Sequence, residues 1–335
     1  MISVTQLTWR RTFLAAALLG MTACGQVGEA PDTTIVASKQ QPIINVHLHT
    51  SWPGADDAPY RAEILQEMND NDIVLSVLHF SEPSDIDDWA RAEPGRFIAS
   101  PMMPCPQREP DTLFCFADED GWPDPAWLEA GMAAGDIGAL GEMLFVYAGI
   151  APDDSRMNGY WALAAKYDVP VAVHINRGPP VGAPPRLEGC CPDFNSDIGN
   201  PELLRPVLEQ YPDLRIYLQH AGIPAMPDLG DIEYTAETFA LMRDYPNVYA
   251  EMTILNSLWP EEEHAPVLKA FIAEGFADRI MFGTDNLPAA PIIERLNGFD
   301  FLTDEQRRGI FYNNAAQFFQ LDQETIDRHH AGERE

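Results

Sequence analysis

Eight short apolar runs alternate with eight amphipathic stretches along this 335-residue chain, and nothing else in it narrows the fold as far. The runs at 43–48, 73–80, 96–101, 137–142, 170–175, 214–219, 247–252 and 279–284 read as strands. The stretches at 59–70, 84–93, 124–134, 154–167, 200–210, 232–244, 261–274 and 303–319 read as helices. Strand-then-helix units imply a parallel sheet, and eight of them fit an α/β fold of the (β/α)8 TIM-barrel type. An open doubly wound sheet would show the same alternation and stands as the alternative. Thr303 with Gln306 forms a capping-box pattern at the start of the last helix. The barrel is assigned to 42–321, followed by a polar tail at 322–335.

Chemistry-bearing residues gather where the strands end. Of eight histidines, four close a strand: His47 and His49 in IINVHLHT, His174 in VPVAVHINRG and His220 in LRIYLQHAG. Glu142 in GALGEMLF and Asp285 in RIMFGTDN hold the same position. Strand C-termini share one face of a barrel, where active sites are built. His47 and His49 are two apart, so both side chains point to one side of their strand and can converge on one metal ion. His79 ends strand 2 and reads either as substrate-facing or as a buried, hydrogen-bonded ring. Arg177, three residues past His174, is placed to hold a substrate carboxylate or to close a loop ion pair. Trp52, Tyr147 and Glu251 line the pocket or pack beneath it. His329 and His330 read as solvated. The connections at 101–123 and 176–198 are long and proline-rich, as loops that shape an active site are.

HLH on strand 1, single histidines on strands 5 and 6 and the aspartate of FGTDN resemble the amidohydrolase superfamily of metal-dependent hydrolases. The phrases GNPELLRPVLEQYPDLRIYLQHAGIP, RIMFGTDN and IFYNNAAQFF resemble its amidohydrolase-2-type branch, in matching order over about residues 42–320. The resemblance implies a barrel holding one or two divalent metal ions, zinc foremost. His47, His49 and Asp285 would take the first, and His174 and His220 the second. Some relatives bridge two metals with a carbamylated lysine on strand 4; this chain has no lysine there. Others use a glutamate in a GE context, so Glu142 either bridges or orients a neighbouring histidine. Asp285 and His220 are the catalytic candidates, as proton acceptor and as acid, base or oxyanion partner.

The start of the chain reads as an address. Arg10 and Arg11 precede an apolar stretch at 13–21, and MTAC ends at Cys24. This resembles a lipoprotein signal over 1–23 with twin-arginine character, Cys24 the lipidated residue and 24–41 a tether; an ordinary secretory signal is the plainer alternative. The expected location is the periplasm or cell envelope, with the lipid anchor as the sole membrane contact. Four cysteines remain: Cys105, Cys115, Cys190 and Cys191. An even number in an oxidising compartment is expected to form two disulfides between the 101–123 and 176–198 loops. A net charge of -31, with Lys39, Lys166 and Lys269 the only lysines, repels nucleic acid. The reading that results is an exported metal-dependent hydrolase of a small-molecule ester, lactone, amide or phosphoester. A mononuclear decarboxylase of the same superfamily is the alternative, and a non-enzymatic metal-binding lipoprotein a third. The oligomeric state is left open.

Overall fold

A computed structural model describes residues 41–50, 57–104, 122–176, 191–223, 234–253 and 259–332. The export signal, nearly all of the tether, Cys24, Trp52, Cys105, Cys115, Arg177 and Cys190 lie outside the described residues.

Eight strands appear where the apolar runs predict them: β1 Ile43–His49, β2 Ile73–Phe80, β3 Phe97–Pro101, β4 Leu140–Met143, β5 Val171–His174, β6 Ile216–Gln219, β7 Val248–Glu251 and β8 Ile280–Met281. All pair in parallel, β1 to β3 in one ladder and β4 to β8 in another. Backbone hydrogen bonds close both seams. Between β3 and β4, the Met103 N–H donates to the Glu142 carbonyl at 3.2 Å and the Leu144 N–H to that of Met103 at 2.9 Å. Between β8 and β1, the Val46 N–H donates to Phe282 and the Asp285 N–H to His47, each at 2.9 Å. The sheet is therefore a closed ring, and the open-sheet alternative falls. Val77, Val171, Val173, Ile216 and Val248 are all shielded completely, the apolar composition that a parallel sheet covered on both faces requires.

Around the ring run α1 Asp57–Asp70, α2 Pro125–Ala134, α3 Phe145–Ala148, α4 Asn158–Lys166, α5 Arg205–Gln210, α6 Thr235–Asp244, α7 Glu261–Ala273, α8 Ala289–Gly298, α9 Asp304–Arg308 and α10 Asn314–Phe318. The ends follow local chemistry. Asp124 caps α2 by accepting from the Ala126 N–H, and Gly135 stops it in the left-handed conformation at φ +79°. The Thr303–Gln306 capping box is formed as expected. Four segments depart from the sequence reading. Helix α8 is additional to the eight stretches read as helices; its Pro288 and Pro291 both sit where the first turn needs no N–H. The helix expected over 84–93 is a π-helix at Ile86–Arg91, and that over 303–319 is broken by another at Gly309–Asn313. The polar tail carries α11, Gln323–Ala331, capped by Asp322. No helix among the described residues is long and apolar enough to cross a membrane.

The rings of Phe318, Tyr217 and Tyr249 pack together two residues below the strand ends that carry the site. Helix α11 joins the same cluster through Ile326; of the two histidines expected to be solvated, His330 is exposed and His329 is not. His329 is buried and shares a 2.9 Å hydrogen bond with the Tyr312 hydroxyl. Burial, helped by the positive charges of Arg328, His330 and Arg96, holds its imidazole down to about 4. The unfolded chain titrates near pH 6.5, so between those values it binds the extra proton. This contribution to stability is complete above pH 6.5 and is lost as pH falls through 4. Chemical denaturation at pH 7 and pH 4.5 should show wild type losing on the order of 2 kcal/mol more than His329→Gln. Equal losses would mean that the ring titrates as if in solvent.

Candidate metal centre

The local backbone explains how six side chains reach one point. Asn45, His47 and His49 alternate along β1 and share a face. In a regular strand Gln219 and His220 would point to opposite sides, but His220, Ala221 and Gly222 follow one another in the left-handed region at φ +63°, +51° and +77°. That turn lets both neighbours point inward: Gln219 Nε2 lies 3.0 Å from His79 Nε2, and His220 Nε2 lies 3.5 Å from Glu142 Oε1. Gly141, at φ +114°, comes so close to the Ala172 carbonyl that a Cβ would overlap it, which reserves the position before Glu142 for glycine. Asp285 and Asn286 are also left-handed, at φ +48° and +58°. Asn286 grips β1 by both ends of its amide, accepting from the His49 N–H at 2.7 Å and donating to the His49 carbonyl at 3.1 Å.

The six expected ligands meet in one cup. His47 Nε2 and His49 Nε2 are 3.1 Å apart, and Asp285 Oδ1 lies 3.5 and 3.0 Å from them. Glu142 divides its carboxylate. Its Oε2 faces His47 and His49 at 3.7 and 3.6 Å, while its Oε1 faces His174 Nδ1 at 2.5 Å and His220 Nε2 at 3.5 Å. Three overlapping triads, His47–His49–Glu142, His47–His220–Asp285 and Glu142–His174–His220, each bring their ligand atoms within 4.8 Å of one another. Burial is graded: the His47 side chain is wholly shielded, whereas that of Asp285 is 26% exposed, so Asp285 marks the open side.

Electrostatics fit a cation. Burial pushes His47 down, but the charges of Asp285, Glu142 and Glu251 outweigh it and raise its imidazole well above the usual 6.5. Burial works against ionisation of Glu142 and Asp285 too. His174, His220 and His47 nevertheless pull Glu142 well below the usual carboxylate range, and His47 and His49 bring Asp285 to about 2. His220, lowered chiefly by burial, stays neutral, and its buried Nδ1 has no hydrogen-bond partner among the described residues. Metal binding displaces the proton that His47 otherwise holds; with its imidazoles neutral the cup then carries only negative charge, and its nitrogen and oxygen donors suit zinc, manganese, iron or cobalt.

Several supporting residues escaped the sequence reading. His174 Nε2 lies 2.8 Å from the Asn176 side-chain oxygen, which holds the ring with its Nδ1 against Glu142 at 2.5 Å. Asn45 accepts from the His47 and Thr284 N–H groups, both at 3.1 Å, and so stitches β1 to the end of β8. Glu251, read as pocket lining or packing, is fully buried and accepts from His47 Nδ1–H at 3.0 Å. The one legible signal for these was position, a polar residue at the end of an apolar run. The substrate-facing expectation for His79 is corrected. It is fully buried, donates to the Gly141 carbonyl at 2.8 Å and meets Gln219 on its other nitrogen. Burial, then the charges of His47 and His49, lowers it to about 3. With Ser100, which also donates to Gly141 at 2.6 Å, it anchors the peptide preceding Glu142 from below. Tyr147 is buried with its ring edge-on to His174.

Residues 44–321 match the family described as Amidohydrolase. No curated protein matches the sequence. Solved structures of similar fold include a Pseudomonas putida protein provisionally named a 2-pyrone-4,6-dicarboxylic acid hydrolase, at 14% identity and TM-score 0.57, covering 84% of this chain and 98% of that one. A 2,6-dihydroxybenzoate decarboxylase from Rhizobium aligns at 17% identity and TM-score 0.54, over 84% and 100% of the two chains. A dihydroorotase from Campylobacter jejuni aligns at 14% and 0.53, over 84% of each. At these identities the likeness is one of fold.

Proposed function

This chain belongs to the amidohydrolase family of metal-dependent hydrolases, and we propose on that premise that it uses two metals to hydrolyse an ester, lactone, amide or phosphoester bond of a small molecule. The divided carboxylate of Glu142 carries this reading, since each oxygen faces its own pair of imidazoles. His47, His49 and Asp285 would hold the first ion, His174 and His220 the second, and Glu142 both. When bound, a divalent cation supplies Lewis-acid polarisation of the scissile group and makes water acidic enough to attack near neutral pH. Asp285, ionised and on the open side, accepts the proton of the attacking water and returns it to the leaving group. His47, His174 and His220, buried around it, exclude bulk water.

A mononuclear decarboxylase is the second reading. The 2.5 Å contact between Glu142 and His174 favours it, because a carboxylate so engaged can serve as a simple hydrogen-bond partner. His220 would then be free for acid–base work. A closed metal store is disfavoured by the exposure of Asp285. Export to the cell envelope and a lipid anchor at Cys24 complete the proposal. They rest on Arg10, Arg11, the apolar stretch at 13–21 and the small residues before Cys24. Disulfides between the two proline-rich loops belong to it as well, supported by Cys191, which is buried and disulfide-bonded.

The test is a panel of esters, lactones, amides, phosphoesters and aromatic carboxylic acids, assayed with native, chelator-stripped and zinc-restored protein. Hydrolysis lost on stripping and regained with zinc is the expected result. Release of carbon dioxide from an aromatic acid, with no hydrolysis, would favour the second reading.

A further inference from the structure

Glu251 ends β7 with no exposure at all, and it reaches neither the open side of the cup nor the Glu142 carboxylate. Its contacts run to three other elements. Oε2 accepts from His47 Nδ1–H at 3.0 Å on β1 and lies 3.4 Å from the backbone N–H of His220 beyond β6. Oε1 accepts from the Thr253 hydroxyl. After β8, Gly283 leaves the carboxylate its room: a Cβ there would stand 2.6 Å from Glu251 Oε1 and 2.7 Å from its Cδ. The Gly283 backbone does not take the left-handed conformation, so glycine serves space here and not backbone conformation.

We infer that Glu251 is a positioning residue of the metal centre, a buried carboxylate that orients ligands of both proposed ions at once. Accepting from Nδ1–H fixes the His47 tautomer and leaves Nε2, the nitrogen beside His49 and Asp285, as donor to a cation. A carboxylate in this position also polarises the ring and strengthens it as a ligand, and removing such a partner costs about 10- to 100-fold in metal affinity. Through the His220 amide the same oxygen steadies a residue held in the left-handed region, whose ring faces the other half of Glu142. Gly283 belongs to the device, because any larger residue would push the carboxylate off His47. The inference rests on the metal-centre reading and adds to it a residue that binds neither metal nor substrate.

The test measures zinc affinity by competition with a chromophoric chelator, and the visible spectrum of the cobalt(II)-loaded protein, for wild type, Glu251→Gln and Gly283→Ala. Glu251→Gln keeps the shape and removes the charge. Gly283→Ala displaces the carboxylate and touches no ligand, so one variant remains informative if the other fails to fold. Both are expected to bind zinc about 10- to 100-fold more weakly, to shift the cobalt bands, and to melt like wild type when metal-free. Affinities within twofold of wild type, or weakening fully matched by lost stability of the metal-free protein, would overturn the inference. Wild type binding neither ion would overturn the metal-centre reading itself.

Discussion

Asp285→Asn is expected to lower kcat by roughly 100- to 10,000-fold, the usual contribution of a positioned proton-transfer group, with KM near wild type. The amide keeps the size of the carboxylate but loses its charge, and with it both the ability to accept a proton and part of the hold on the first ion, so the two proteins are compared at saturating zinc. Asp285 suits the task because it is the exposed member of the cup, 26% open where the Glu142 side chain is 6% and that of His220 is 2%. Its direction is set from behind by the paired hydrogen bonds of Asn286 to His49. Burial would raise its carboxyl, but His47 and His49 bring it to about 2, so it is ionised wherever the enzyme works. Its base role therefore depends on geometry and not on a raised pKa. Steady-state kinetics on a substrate from the hydrolysis panel check this. A kcat within a few-fold of wild type would move the proton to another group, His220 first.

Glu142→Ala should abolish measurable turnover and also cost the metal-free protein about 3–5 kcal/mol, the range for breaking a buried ion pair from one side. The carboxylate is 4% exposed and faces four imidazoles. Without it, His174 loses its partner on Nδ1 and His220 the carboxylate oxygen facing its Nε2. Glu142→Gln, which keeps the volume and one acceptor, should lose less stability than the alanine variant while binding metal as poorly. Denaturant titration in chelator compares the two. Equal stability of wild type and Glu142→Ala would mean that the carboxylate is not paired as described.

The barrel was legible because its strands are short, apolar and buried on both faces, so their number and order survive in the bare sequence. His47 and His49 were legible through the two-residue period of a strand, and His174, His220, Glu142 and Asp285 through their place at strand ends. Glu251 has that same place, yet nothing in VYAEMT marks a carboxylate that accepts from His47 rather than one that packs or meets substrate. His79 stayed open between two readings for the matching reason: a strand end can face the mouth or the floor, and only the partners on Gly141 and Gln219 decide. Asn45 and Asn176 act through hydrogen bonds to atoms far away in sequence or hidden by tautomer, which no local pattern records. Helix α8 was obscured by prolines that break helices in their interior but not in their first turn, and α11 by polar residues around the few that it buries.

Elemental analysis of metal per chain, on wild type and Glu142→Ala purified without chelator and then equilibrated with zinc, tests the two-metal centre most directly. Close to two ions per wild-type chain, falling to one or fewer in the variant, is the predicted result. One ion in both proteins would remove Glu142 from the ligands and contradict the account.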